Sequence, residues 1–168
     1  MNAASEIVVR SATNADVEKI RSLIYSVLEE YSLVPEPGGT DADIEDVEKN
    51  YIQRGGVFEV LEDAQGKLLG TAGLYPMDPV EPVEPPVENG TVELRKMYFL
   101  PELRGHGWGK KILASMIQRA RERGFKRVYL ETASQLKEAI GLYKSFGFTP
   151  TCEGMHSERC DQAFFLDL

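Results

Sequence analysis

The run Arg104-Gly105-His106-Gly107-Trp108-Gly109-Lys110-Lys111-Ile112 (RGHGWGKKI, residues 104–112) sets glycine at three alternate positions. VELRKMYFLP (92–101), a strand-like run, precedes it, and the apolar-periodic ILASMIQRARERG (112–124) follows. Glycine lacks a Cβ, so it takes positive φ readily and lets main-chain amides approach a ligand. A turn of this kind at a helix start suits an anion, because unpaired N–H groups and the helix dipole both favour negative charge. The stretch therefore predicts strand, glycine turn and helix, with an anion site where the helix begins.

Working outward, IVVR (7–10) reads as a first strand. In the helix that follows, Thr13 or Asn14 serves as cap, with Asp16 in the first turn. Val17, Ile20, Leu23, Ile24, Val27 and Leu28 recur at steps of three and four, giving it one buried face. PEPGG (35–39) breaks the chain, and DADIEDVEKNYIQRGG (41–56) predicts a second, acidic helix ended by Gly55-Gly56. VFEVLED (57–63) and KLLGTAGLY (67–75) form an antiparallel pair across a short Gly-containing turn. PMDPVEPVEPPVENG (76–90) holds five prolines and four acids. Proline supplies no ladder amide, so this segment reads as an exposed loop. TVELRKMYF (91–99) is the central strand. RVYLET (127–132) is a strand in parallel-crossover context, QLKEAIGLYKSFG (135–147) a helix, and TPTCEGM (149–155) with QAFFLDL (162–168) a closing antiparallel pair. The order is β α α β β β α β α β β, without internal repeats.

Length and composition narrow the class. The 168 residues suit one domain, 1–168, with a real core, and 42% hydrophobic and 27% charged content is ordinary for a soluble globular protein. No apolar run is long enough to cross a bilayer, and MNAASEIVVR lacks a secretory stretch. Two cysteines, Cys152 and Cys160, do not organise a fold through disulfides, so a cytoplasmic setting is expected. The net charge of −8 is uneven: −13 over residues 1–93 and +5 over 94–168. The basic part carries the glycine turn, as a polyphosphate ligand would favour. Arg119, Arg121 and Arg123, on the far turns, read as a solvated helix face. Neither nucleic acid nor membrane is expected as a partner.

From Glu93 to Phe148 the chain resembles the GCN5-related N-acetyltransferase (GNAT) family. That family's hallmark, Arg/Gln-x-x-Gly-x-Gly/Ala between strand and helix, reads here as Arg104 to Gly109. Its second signature, A-x-x-LY-x-x-x-GF, reads Ala139-Ile140-Gly141-Leu142-Tyr143-Lys144-Ser145-Phe146-Gly147-Phe148. Either pattern alone is weak, whereas both in βαβα context make a joint signal. The resemblance implies an α/β (α+β) fold: a mixed, mostly antiparallel twisted sheet flanked by about four helices, with a central parallel, splayed strand pair. It also implies acetyl-CoA as co-substrate, no metal, and an amine acceptor that is a small molecule, amino acid or peptide. A homodimer is suggested by resemblance only. Many relatives carry an Asn seven residues before the Tyr. Here that position is Leu136, leaving Ser134 or Gln135 to replace the contact.

The resemblance also assigns roles. Amides of Arg104, Gly105, His106, Gly107, Trp108, Gly109 and Lys110 would hold the CoA diphosphate, and the physics of a donor-rich helix start agrees independently. The backbone of Met97, Tyr98 and Phe99 would pair with the pantetheine arm while Met97 and Phe99 pack in the core. Pro101 would end the ladder and let the strands splay. An acceptor amine with a lysine-like pKa of about 10.4 is unprotonated in only about one molecule in 2,500 at pH 7, so a base is needed. Glu93, eleven residues before Arg104, matches the catalytic glutamate of histone-modifying members. Read structurally instead, it is an exposed strand carboxylate paired with Arg95 or Lys96. An amide near Met97 or Tyr98 would meet the developing oxyanion. Tyr143 matches the family's general acid for the leaving thiolate, and transfer would be direct, through a ternary complex. The alternative is a non-catalytic acyl-CoA sensor of the same fold.

Two readings are set aside. Cys152, His156 and Cys160 stand at steps of four, but structural zinc generally wants four ligands, and the sequence offers no second Cys/His pair. A dinucleotide oxidoreductase needs Gly-x-Gly-x-x-Gly, which alternate glycines do not supply. Trp108 is expected to pack, and Tyr25, Tyr31, Tyr51, Tyr75 and Phe58 to line core or cleft. The acidic helix and the acids Asp78, Glu81, Glu84 and Glu88 would favour a cationic acceptor wherever they border the cleft.

Overall fold

The computed structural model describes residues 6–77, 90–152 and 157–168. Residues 78–89 of the proline-rich run, with its four acids, and 153–156 of the last hairpin, with His156, lie outside the described residues. Seven strands form one sheet in the order β1-β2-β3-β4-β5-β7-β6. They are β1 (Val8–Ser11), β2 (Val57–Glu62), β3 (Leu68–Pro76), β4 (Thr91–Phe99), β5 (Arg127–Thr132), β6 (Thr149–Thr151) and β7 (Gln162–Asp167). Only β4 and β5 run parallel; every other neighbouring pair is antiparallel. The helices are α1 (Val17–Glu30), α2 (Trp108–Glu122) and α3 (Lys137–Ser145). No helix among the described residues is long and apolar enough to cross a membrane.

Helix α1 forms as its spacing predicts: Val17, Ile20, Leu23, Ile24, Val27 and Leu28 are all buried. At its entry the Thr13 amide donates to Asp16 at 2.9 Å, and Arg10 grips the same carboxylate at 2.8 Å. The second helix departs from expectation. Residues 42–52 fold as a tight 3₁₀ turn, Ala42–Asp46, followed by a wide π turn, Glu48–Ile52. Here Asp41 and Asp43 are buried as well as Ile44, Val47 and Tyr51, so the inward face is broader than a regular amphipathic helix presents. Arg119 also differs from the solvated reading, because its guanidinium reaches the buried Glu59 of β2 at 2.6 Å.

Two apolar layers cover the sheet. Ile112, Leu113, Met116 and Ile117 of α2 pack with Leu94, Val128 and Leu130 on one side. On the other, α1 packs with Ile44, Val47, Tyr51 and Phe58. Strand β4 carries the main irregularity. Its register against β3 runs through Gly73↔Arg95 and resumes at Thr71↔Tyr98, so Lys96 and Met97 face the single residue Ala72. This is a β-bulge, with Lys96 at φ 56°. Pairing with β5 covers only Thr91, Val92 and Glu93. The splay therefore begins well before Pro101. Residue pairing with β3 runs to Phe99, and the Leu100 amide still donates to the Leu69 carbonyl at 2.9 Å, whereas pairing with β5 ends at Glu93, ahead of the bulge.

Close approach explains Gly73 on β3. A Cβ there would lie 2.7 Å from the Tyr51 ring and 3.0 Å from the Phe58 ring. Gly73→Ala should cost about 1–3 kcal/mol through overpacking. Thermal unfolding should show a midpoint about 5 °C lower; an unchanged midpoint would mean that the aromatic pair shifts without cost.

Candidate active site

Where β4 and β5 part, a cleft of about 1170 Å³ opens between the layers. Its wall contains Glu93, Met97, Tyr98 and Phe99 of β4, most of the glycine turn, and Tyr143 of α3. Residues nominated from two separate stretches of sequence thus meet on one surface. His106 and Lys110 are exposed and stand off that wall. Ser134 is also off it: its amide and hydroxyl both donate to Asp161, at 2.8 and 2.7 Å. Gln135 and Leu136, its neighbours, do line the cleft.

The glycine turn is built as the sequence implies. Gly105 and Gly107 take φ of 77° and 81°, and a Cβ at either would meet nothing within 4 Å. Their glycines serve backbone conformation, not space. Gly107 caps α2, and the Lys111 amide makes the first full-turn bond back to its carbonyl at 3.1 Å. The amides of Trp108, Gly109 and Lys110 precede that bond, where a helix has no carbonyl behind it. Arg104 is already engaged: it grips Glu30 at 2.5 and 2.8 Å and donates to the Phe99 carbonyl at 2.9 Å. That geometry makes it a brace between α1, the end of β4 and the turn. Trp108 is half-buried against the α2 layer with Lys111 over its ring, so packing accounts for it.

After the bulge, Met97 and Phe99 pack with the α2 layer and Tyr98 with the α1 layer. Glu93 is buried at 4% exposure, not the exposed carboxylate of the structural reading, although its Arg95 partner is as expected, at 2.7–2.8 Å. Arg95 also stacks on Tyr75, 3.8 Å from the ring centre. Tyr143 is buried beside Phe148 and Phe164. Burial foremost, with Tyr98 and Cys160 nearby, pushes its phenol well above the usual range, so it remains protonated at neutral pH. Burial likewise pushes Tyr98 up to about 12 and raises the thiol of Cys160, also on the cleft wall. Tyr31 and Tyr75 line the cleft, while Tyr51 and Phe58 belong to the core.

A charge cluster unassigned from the sequence is built into the wall, where Asp43, Arg95, Lys96 and Arg159 line the cleft and Asp41 stands behind them. Asp41 is fully buried and accepts four donors: Lys96 at 2.5 Å, both terminal nitrogens of Arg159 at 2.6 and 2.8 Å, and the Glu36 amide at 2.8 Å. Asp43 beside it accepts from Tyr51 and pairs with Arg95 at 3.3 Å and Lys96 at 3.4 Å. One sequence signal for this region existed. Along β4 the apolar positions Val92, Leu94, Met97 and Phe99 step by two, three and two, and the step of three is the bulge.

Comparison with known proteins gives one consistent picture. The family model described as the acetyltransferase (GNAT) family matches residues 22–148. The uncharacterized N-acetyltransferase YjgM of Escherichia coli is 40% identical over 143 residues, covering 84% of this chain and 81% of that protein. A GNAT-family acetyltransferase structure from Staphylococcus aureus superposes with a TM-score of 0.85 at 22% identity, covering 96% of this chain and 99% of that one. An acetyltransferase from Clostridium acetobutylicum, solved with acetyl-CoA, gives 0.73 at 20% identity, covering 91% and 96%. At those identities the two structures speak to fold alone.

Burial works to raise the Asp41 carboxyl, but the bonds from Arg159 and the charge of Lys96 outweigh it and hold the group far below the carboxylate range. A depressed folded pKa contributes stability that is present above the unfolded value, about 3.9, and is lost as pH falls through the folded one. Asp41→Asn should therefore cost about 3–5 kcal/mol at neutral pH. The gap in unfolding free energy between wild type and variant should narrow below about pH 4. A gap constant down to the acid limit of folding would show that the charge of Asp41 contributes nothing.

Proposed function

The chain belongs to the acetyltransferase (GNAT) family and is an acetyl-CoA-dependent acyltransferase, and from that premise we propose that it moves the acetyl group directly to the primary amine of a small, positively charged acceptor. The observation carrying this reading is that the glycine turn, the splayed part of β4, Glu93 and Tyr143 border one continuous cleft. The diphosphate sits on main-chain amides of the turn where it borders the cleft, Gly105, Gly107, Trp108 and Gly109, with Arg104 on the same wall bracing the turn through Glu30 and the Phe99 carbonyl. The pantetheine arm lies along β4 beyond Glu93, where pairing with β5 has ended. Of the two residues proposed to replace the missing Asn contact, Gln135 is the one on the wall.

Glu93 takes the amine proton, directly or through water, as nitrogen attacks the carbonyl carbon. An amide at Met97 or Tyr98 donates to the oxyanion as it forms. The carbon–sulfur bond then breaks, and the phenol of Tyr143, kept protonated by burial, donates to the departing sulfur. The parent thiol has a pKa of about 8.5, so complete proton transfer from a phenol this weak is uphill, and solvent completes it. Cys160 takes no part as nucleophile, since its thiol is pushed up and away from the thiolate. The acceptor's positive charge is supported by the acids on the wall, Glu36, Glu131 and Glu158, of which Glu36 is shared with Arg159 at 3.7 Å, while Arg95, Lys96 and Arg159 are ion-paired with Glu93, Asp41 and Asp43. A chain with two cysteines that does not rely on disulfides suits a reducing compartment, and we assign the cytoplasm on that ground.

Thiol release from acetyl-CoA, followed across a panel of cationic, neutral and anionic amines, tests the reading. Cationic acceptors should give the highest kcat/KM; preference for anionic amines would overturn the acceptor class. Glu93→Gln should lower kcat about 100-fold or more, and Tyr143→Phe about tenfold. Unchanged rates across pH in both variants would remove both roles.

A further inference from the structure

We propose that Lys96 and Asp41 are positioning residues: their buried ion pair holds β4 in its bulge and so decides which face of the sheet Met97, Tyr98 and Phe99 present. The proposal rests on the acetyl-transfer reading of the same cleft and adds to it a device outside the reacting groups.

Successive side chains of a regular strand point to opposite faces. Arg95 and Lys96 do not: both reach Asp43, at 3.3 and 3.4 Å, on the α1 side of the sheet. Alternation is broken at that step and resumes out of phase, with Met97 and Phe99 in the α2 layer and Tyr98 in the α1 layer. The break is the positive φ of Lys96, 56°, a conformation that residues with a Cβ adopt only when their surroundings impose it. Three hydrogen bonds impose it here. The Thr71 hydroxyl donates to the Lys96 carbonyl at 2.6 Å, and the Lys96 ammonium donates to Asp41 at 2.5 Å and to the Thr40 carbonyl at 3.0 Å. Without this hold, Lys96 relaxes to ordinary strand conformation, and a slip of one residue turns every following side chain to the other face. Tyr98 would then enter the α2 layer, and Met97 and Phe99 would leave it.

The same carboxylate reaches further. Asp41 clasps Arg159, whose charge lies close enough to Tyr98 to oppose the rise that burial gives its phenol. One anion thus joins the loop after α1, the bulge, and the segment entering β7. The strand that lies against the acyl group and the wall that faces the acceptor are set by a shared contact.

Glycine separates this role from simple stability, because it takes positive φ without being held. Lys96→Gly keeps the bulge while losing the ion pair; Lys96→Met loses the pair and favours regular strand. Asp41 retains Arg159 and the Glu36 amide in either. Turnover, thermal midpoint and amide hydrogen exchange at Met97, Tyr98 and Phe99 would be measured for wild type and both variants. Lys96→Gly should exceed Lys96→Met in kcat by about tenfold, since small misplacements are costly in rate. It should do so with a midpoint no higher, and with the wild-type exchange pattern along 97–99. Equal turnover in the two variants, or turnover that simply follows the midpoint, would overturn the proposal. If Lys96→Met does not fold, Lys96→Gln gives the same comparison. A wild type that folds yet turns over no amine would sink the acetyl-transfer reading instead, and the exchange patterns would still decide whether the ion pair sets the bulge.

Discussion

Parallel pairing between β4 and β5 stops after three residues, and the site depends on that interruption. Backbone donors and acceptors need partners. Up to Glu93 the strand finds them on both sides; beyond it, β3 alone continues the ladder to Phe99. The side turned toward β5 is left to whatever enters the cleft, and an extended, amide-bearing arm is suited to it. The glycine turn follows five residues after Phe99, carried round by the short Pro101–Leu103 turn, so strand edge and helix start open onto one space.

Holding a strand open has a cost, and it is met by buried charge. Lys96, Asp41 and Arg159 are far inside for ions, with side-chain exposures of 2, 0 and 9%. Desolvating them is unfavourable unless the geometry is good and the remaining lone pairs are satisfied. Four donors on one carboxylate meet that condition. The network fixes backbone conformation at the step where strand alternation breaks and Lys96 takes positive φ.

Much of this was legible in the sequence, for identifiable reasons. The buried face of α1 follows from spacing, and the glycine turn from residue types that have few other uses at a helix start. Glu93 was nominated by its spacing from that turn, and Tyr143 by the A-x-x-LY-x-x-x-GF signature over residues 139–148. What escaped was the long-range charge network. Asp41 lies 55 residues from Lys96 and 118 from Arg159, and no local pattern announces such a partnership. The acidic run 41–56 reads as one regular helix; Asp41 and Asp43 turn inward instead, and the segment folds as a 3₁₀ turn followed by a π turn. Ser134 looked available because its neighbourhood was right, whereas Asp161, from the far side of the hairpin, had already taken its donors. The bulge sat in plain view as a step of three among steps of two.

The central claim is that main-chain N–H groups of the turn and the open edge of β4 together hold the cofactor. Backbone amide chemical shifts recorded while coenzyme A is added address it residue by residue. The account predicts the largest saturable changes at residues 105–110 and 97–99, with those of β1 and β2 almost unmoved. Saturable changes centred elsewhere, or none in a folded chain, would contradict it.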